Sequence, residues 1–172
     1  MKENFYLKSA KINTEIYKNN LSILNFGNAS IIDKKRENIF IKASGVYAKL
    51  CKQNDIVKIN LKNPKKLSSK SLKPSVDTDI HIEIYKKFKN INCIVHAHSE
   101  YATILAQANI EPECFGTTHA DYFYDRIPLS KKIIKVNKLK FEYQLGRSIT
   151  DKLKKNKKYC PGILLRDHGL VT

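Results

Sequence analysis

The chain has 172 residues, enough to bury one hydrophobic core and too few for two domains of ordinary size. Hydrophobic residues make up 42% and charged residues 28%, which excludes a disordered chain, and no apolar run approaches the roughly 20 residues that cross a bilayer. The net charge of +16 sits almost wholly on dispersed lysines, with Arg36, Arg126, Arg147 and Arg166 the only arginines, so solvated basic faces and a general pull on small anions are expected ahead of a nucleic-acid site.

Residues 4–18 place Phe5, Ala10, Ile12, Ile16 and Tyr17 at roughly helical spacing, which predicts an opening amphipathic helix. The charges and amides scattered through MKENFYLKSAKINTEIYK leave no apolar core of a secretory signal, and a cytoplasmic location is expected. Turn chemistry at Gly27 and Asn28 leads into a short strand, DKKREN (33–38) makes a polar turn, and IFIKAS (39–44) returns as the second strand of a hairpin. DIVKINL (55–61) alternates as a further strand, and the Lys/Ser/Pro-rich stretch 62–74 is a loop. DTDIHIEIYKKF (77–88) is predicted helical, with Asp77 and Asp79 where the helix dipole favours negative charge. INCIVHAHSE (91–100) reads as a buried strand, with Ile91, Cys93 and Val95 on one face and Ile94 on the other. SEYATILAQA (99–108) is a helix capped by Ser99, FGTTHADYFYDRIP (115–128) an ordered loop, LGRSITDKLKKN (145–156) a helix, and PGILLRDHGLV (161–171) a last strand carrying His168. Cys51, Cys93, Cys114 and Cys160 are widely spaced and expected reduced, with Cys93 buried in its strand. Strands and helices do not alternate strictly, so an antiparallel-rich sheet covered by helices is expected.

The chemistry gathers on imidazoles. His96 and His98 occupy alternate strand positions, and a side-chain period of two sends both to one face. His168 brings the count to three, the number of protein ligands at a catalytic zinc site that keeps a position open. His81, four residues after Asp77, is expected to pack or hydrogen-bond locally, and His119 to meet substrate or brace its loop. Asp77 either approaches the metal or caps its helix; Asp121, beside Tyr122, Phe123 and Tyr124, either moves a proton or is a turn aspartate. NFGNAS (25–30), KASGV (42–46) and KPSVDT (73–78) place small residues and hydroxyls where backbone N–H groups can converge on a phosphate.

Taken in order along essentially the whole chain, NFGNAS, IKASGV, KPSVDTDIHIEIYKKF, IVHAHSEYATILAQA, GTTHADYFYDRIP and ILLRDHGL resemble the class II aldolase/epimerase family. GTTHADYFY is similar to the L-ribulose-5-phosphate 4-epimerases within it. The resemblance implies a single α/β domain over residues 1–172, a three-layer αβα fold with a largely antiparallel central sheet. It also implies a divalent metal (Zn2+, or another such as Mn2+), a phosphorylated sugar substrate and a homotetramer with sites between subunits, and neither a nucleic-acid nor a membrane partner. Matched position by position, His96, His98 and His168 are metal ligands, and Asp77 is the acidic residue near the metal, where the aldolases have glutamate. Asn28, Lys42, Ser44, Gly45 and Ser75 match substrate- and phosphate-binding positions, Asp121 the epimerases' proton-transfer aspartate, and Thr117, His119 and Glu142 loop residues near the neighbouring subunit's site. The reaction implied interconverts L-ribulose 5-phosphate and D-xylulose 5-phosphate by cleaving the C3–C4 bond and re-forming it on the other face of the aldehyde.

Departures from the family pattern are Val76 where a serine is usual, Ala43 for proline and Asp125 for glycine. Family members continue past the position of Thr172 into a helical segment that carries a second proton-transfer group, so weakened turnover is expected. Two other readings fit the same residues: a class II sugar-phosphate aldolase, and a non-catalytic remnant that still binds metal or an anion.

Overall fold

A computed structural model describes residues 4–133, 141–155 and 160–172. Helix α1 (Phe5–Lys18) opens the chain, with the Asn4 side chain accepting from the Leu7 N–H at its start. Strands β1 (Asn28–Ile32) and β2 (Asn38–Lys42) form the expected hairpin, with Ile32 opposite Ile39 and Ser30 opposite Ile41. Arg36 supplies the left-handed residue of its turn at φ +56°. Strand β3 (Ile56–Asn60) adds to β2, and β4 (Cys93–Ala97) pairs with the other side of β1. Beyond β4 lie two short strands, β6 (Leu170–Val171) and then β5 (Ile163–Leu164). All five pairings in this six-stranded sheet are antiparallel.

Period-two alternation explains how both faces of the sheet are filled. Ile32, Ile39, Ile41, Val57, Ile59 and Ile94 face one way, onto Ile80, Ile84 and Tyr85 of α2 (Thr78–Lys87) and Leu145 and Ile149 of α5 (Phe141–Lys154). Ile31, Phe40 and Ile56 face the other way, where Phe5 and Ala10 of α1 cover them. Ala106 of α3 (Glu100–Gln107) packs with Leu129 and Leu164 beside β5. Among the described residues no helix is long and apolar enough to cross a membrane.

Helices α2 and α5 cross closely because Gly146 has no side chain. A Cβ there would lie 3.1 Å from both Ile80 Cα and Glu83 Cβ. Gly146→Val is expected to spread this pair and lower stability by about 1–3 kcal/mol, read as a shifted urea midpoint at unchanged slope.

Several elements differ from the sequence reading. FGTTHADYFYDRIP contains a helix, α4 (Thr117–Phe123), stopped by Tyr124 at φ +61°; hydroxyls and a histidine masked its short helical run. Ser99 precedes α3 but makes no side-chain cap bond; its carbonyl takes the Thr103 N–H instead. The last strand is a hairpin, β5 and β6, with His168 in its turn. Cys93 is exposed: the core-facing residues of β4 are Ile94 and His96, and Cys93 falls on the opposite face. Cys51, Cys93 and Cys114 form no disulfide among the described residues. The helix expected over 145–156 starts earlier, at Phe141, and Asn156 lies outside the described residues.

Candidate metal centre

Two adjoining strands and one turn bring the imidazoles together. His96 is on β4, opposite Asn28 on one side and Val171 on the other, and His98 follows just past the strand. His168 is carried by the tight turn between β5 and β6. That turn closes through Leu165 N–H to the Gly169 carbonyl (2.7 Å) and His168 N–H to the Leu165 carbonyl (2.9 Å), with Asp167 at φ +63°. The Asp167 N–H also donates to Ala106 at the end of α3, which braces the turn from outside. The three ring centroids form a nearly equilateral triangle, 4.8, 4.9 and 4.9 Å on its sides. One ring nitrogen from each lies within 4.8 Å of the other two.

The donors are in the right state for a cation. Burial pushes the pKa of His96, His98 and His168 below the usual imidazole value, outweighing the opposing pull of Asp77 on each, so all three are neutral at pH 7. His96 Nδ1–H donates to the Leu170 carbonyl at 2.9 Å, which turns the Nε2 lone pair toward the cluster, 3.0 Å from His98 Nε2. Three neutral nitrogens converging at this spacing fit a divalent ion, and His96, His98 and His168 would hold it.

Gly169 is what lets the turn come so close. A Cβ on it would sit 2.7 Å from the Ala97 carbonyl oxygen and 3.5 Å from carbons of the His96 and His98 rings. Gly169→Ala must therefore push His168 away from its partners. The expected result is a drop in metal affinity of at least about 10-fold, measured by competition with a chelator, the magnitude seen when ligand orientation is disturbed.

Asp77, expected near the metal or as a helix cap, lies in the same pocket as the three histidines. It is not part of the nitrogen cluster, and its side chain makes no cap bond; its carbonyl takes the Ile80 and His81 N–H groups. Its Oδ2 accepts from Asn28 Nδ2 at 2.6 Å and from the Ser75 hydroxyl at 3.3 Å. Burial alone would raise its pKa, but His96, His81, His168 and the Asn28 bond together hold it below the usual carboxylate value. Asn28 is itself buried, and among the described residues its Oδ1 has no partner.

A cleft of about 340 Å3 opens over this cluster. Asn28, Lys42, Ser44, Gly45, Ser75 and Asp77 line it together with the three histidines. Lys42 is almost fully buried; its ammonium donates to the Asn25 and Val46 carbonyls, and burial lowers its pKa against the pull of Cys51, Asp77 and Asp55. Gly45 takes φ +78°, the left-handed turn a side chain would strain. Glu142, expected near a neighbouring subunit's site, lines this chain's own cleft from the first turn of α5. Thr117, His119 and Asp121 are not there. They lie on α4, where His119 Nε2–H donates to the Asp125 carbonyl and braces its own loop, and Asp121 is exposed.

Residues 8–172 match the family described as Class II Aldolase and Adducin N-terminal domain. The chain belongs to this family. Class II aldolases are divalent-metal dependent, in keeping with the three-histidine group. Among solved structures, an L-fuculose 1-phosphate aldolase superposes with a TM-score of 0.82 at 21% identity, over 100% of this chain and 76% of its own. The L-fuculose-1-phosphate aldolase of Thermus thermophilus gives 0.74 at 20%, over 100% and 80%. A sugar-phosphate aldolase from Thermotoga maritima gives 0.72 at 19%, over 100% and 84%. At these identities the class II aldolase likeness is one of fold.

The sequence reading passed over Phe26, which also lines the cleft, as does Val76, noted there as a departure from the family's serine. Phe26 precedes Gly27 in the turn already singled out, so its neighbourhood was the available signal. Val76 stands between the two cleft residues Ser75 and Asp77.

Proposed function

We propose that this protein carries out metal-dependent retro-aldol chemistry on a phosphorylated ketose, with C4 epimerisation of a pentulose 5-phosphate, between L-ribulose 5-phosphate and D-xylulose 5-phosphate, as its specific reaction. The observation that carries the reading is the convergence of His96, His98 and His168 on the cleft that also contains Asp77, Lys42 and Ser44. A divalent ion there, zinc or manganese, supplies Lewis acidity at a substrate carbonyl oxygen.

The chain's own groups do the rest. Lys42 adds a positive charge at the end of the cleft formed by Ser44, Gly45 and Ser75, which suits the phosphate. Asn28 holds Asp77 through its amide and offers its Oδ1 to a substrate hydroxyl. The ionised Asp77 is shorter than glutamate and tied down at Oδ2, so it holds charge near the ligands and leaves hydroxyl proton transfer to another group. In this reading that group is Asp121 of a second copy, because α4 does not reach the cleft of its own chain; with Thr117 and His119 it faces a neighbour in a homotetramer.

The structural likeness to sugar-phosphate aldolases favours one other reading, simple cleavage. Metal-loaded protein incubated with L-ribulose 5-phosphate and, separately, L-fuculose 1-phosphate separates the two by NMR. Appearance of D-xylulose 5-phosphate supports epimerisation, and accumulation of two carbonyl fragments from L-fuculose 1-phosphate replaces it with the aldolase. No turnover of either by metal-loaded protein rejects the proposal.

A further inference from the structure

We infer that Phe26 is a positioning residue of the metal centre: its ring, packed on the imidazole of His98, gives that ligand the orientation that a hydrogen bond gives His96. The inference rests on the reading of the three histidines as a metal site.

The two neighbouring imidazoles are held differently. His96 donates through Nδ1 to the Leu170 carbonyl, which fixes its tautomer and ring plane. His98 has its Nε2 3.0 Å from His96 Nε2, and among the described residues its Nδ1 makes no hydrogen bond. Metal-binding imidazoles ordinarily take their orientation from such a bond on the second nitrogen. What His98 has in its place is a ring. The Phe26 centroid lies 5.7 Å from that of His98, with the planes tilted by 30°, within the range of a favourable aromatic pair.

Phe26 is 48% exposed, yet its backbone is tied on every side. Its N–H donates to the Ile23 carbonyl at 3.0 Å, and its carbonyl accepts from the Ser22 hydroxyl. The His98 N–H donates to the Leu21 carbonyl at 3.0 Å, so the same loop is stitched directly to the ligand it supports. Gly27 follows at φ +68°, where a Cβ would lie 3.0 Å from the His96 carbonyl oxygen; the loop runs flush against the ligand strand because no side chain intervenes. A half-exposed phenyl ring thus stands in a fixed place at the wall of the cleft, where it also keeps one side of the ligand cluster apolar.

The test uses the full chain and Co2+ alone, with affinity from chelator competition and the ligand field from visible absorption. Wild type is expected to bind one Co2+ per chain. Phe26→Ala should weaken binding by about 10- to 100-fold and shift the visible bands, while Phe26→Trp stays near wild type. The metal-free thermal midpoint should be the same in all three, since a merely structural role would move it and leave the spectrum alone. If Phe26→Ala does not fold, Phe26→Leu decides: it keeps the bulk, loses the ring, and should still weaken binding and shift the bands. Unchanged affinity and spectrum in a ring-less variant, beside a wild type that binds, overturn the inference and leave the metal site standing. A wild type that takes up no Co2+ overturns the metal reading and the inference with it.

Discussion

His96→Asn is expected to yield a folded protein that no longer retains a divalent ion through dialysis and has only background activity. His96 is almost fully buried, at the centre of the antiparallel pairings of β4 with β1 and β6. Asparagine is smaller and can still donate to the Leu170 carbonyl, so the local hydrogen bond survives and the backbone has no reason to move. It cannot also present a nitrogen to the centre of the triangle. Two ligands then remain, and affinity falls by more than the roughly 10- to 100-fold that follows from disturbing the partners behind a ligand. Elemental analysis of dialysed protein reads the metal, and circular dichroism reads the fold. His119→Asn is the matched control: His119 braces its own loop outside the cleft and should leave metal content unchanged. Full metal retention by His96→Asn would falsify the assignment of this cluster.

The opening helix, the 33–38 turn and the strands on either side of it were legible in the sequence because period and turn chemistry are local properties of a dozen residues. The H-x-H pair was legible for the same reason, since strand geometry alone puts His96 and His98 together. What joined His168 to them was not local. It depends on a hairpin turn whose reach is set by the missing side chain of Gly169 and by α3 bracing Asp167 from outside.

Asp77 shows the other limit. Its position before a helix invites a cap, and its side chain instead turns to Asn28, 49 residues earlier, a partner that no local pattern could name. Helix α4 was hidden by its composition, and the exposure of Cys93 by the question of which strand face turns to the core, which only the assembled sheet answers.

One buried polar group carries a large consequence for pH. His81, on α2, is completely buried; its Nδ1 lies 2.7 Å from the Ser30 hydroxyl, which is itself 3.0 Å from the Tyr85 hydroxyl, and Tyr85 donates to the Ser30 carbonyl. Among the described residues its Nε2 has no partner, so a proton added to the ring would place an unsolvated charge in the core. Burial accordingly pushes its pKa down to about 3, partly offset by Asp77. The unfolded chain takes up a proton near pH 6.5 and the folded chain does not, so the stability this group contributes is complete above that value and is lost as pH falls toward 3.

The slope is about 1.4 kcal/mol per pH unit, and His81 alone should remove about 2–3 kcal/mol between pH 7 and pH 4.5. His96, whose pKa is lowered for the same reason, acts in the same direction. Urea unfolding in the presence of a chelator, repeated across this range, isolates the protein's own response from metal loss. His81→Gln should be less stable than wild type at pH 7 but should flatten the pH profile by about one proton's worth of slope. Equal slopes in wild type and His81→Gln would show that the imidazole between Ser30 and Asp77 is protonated in the folded protein, and that the core tolerates the charge.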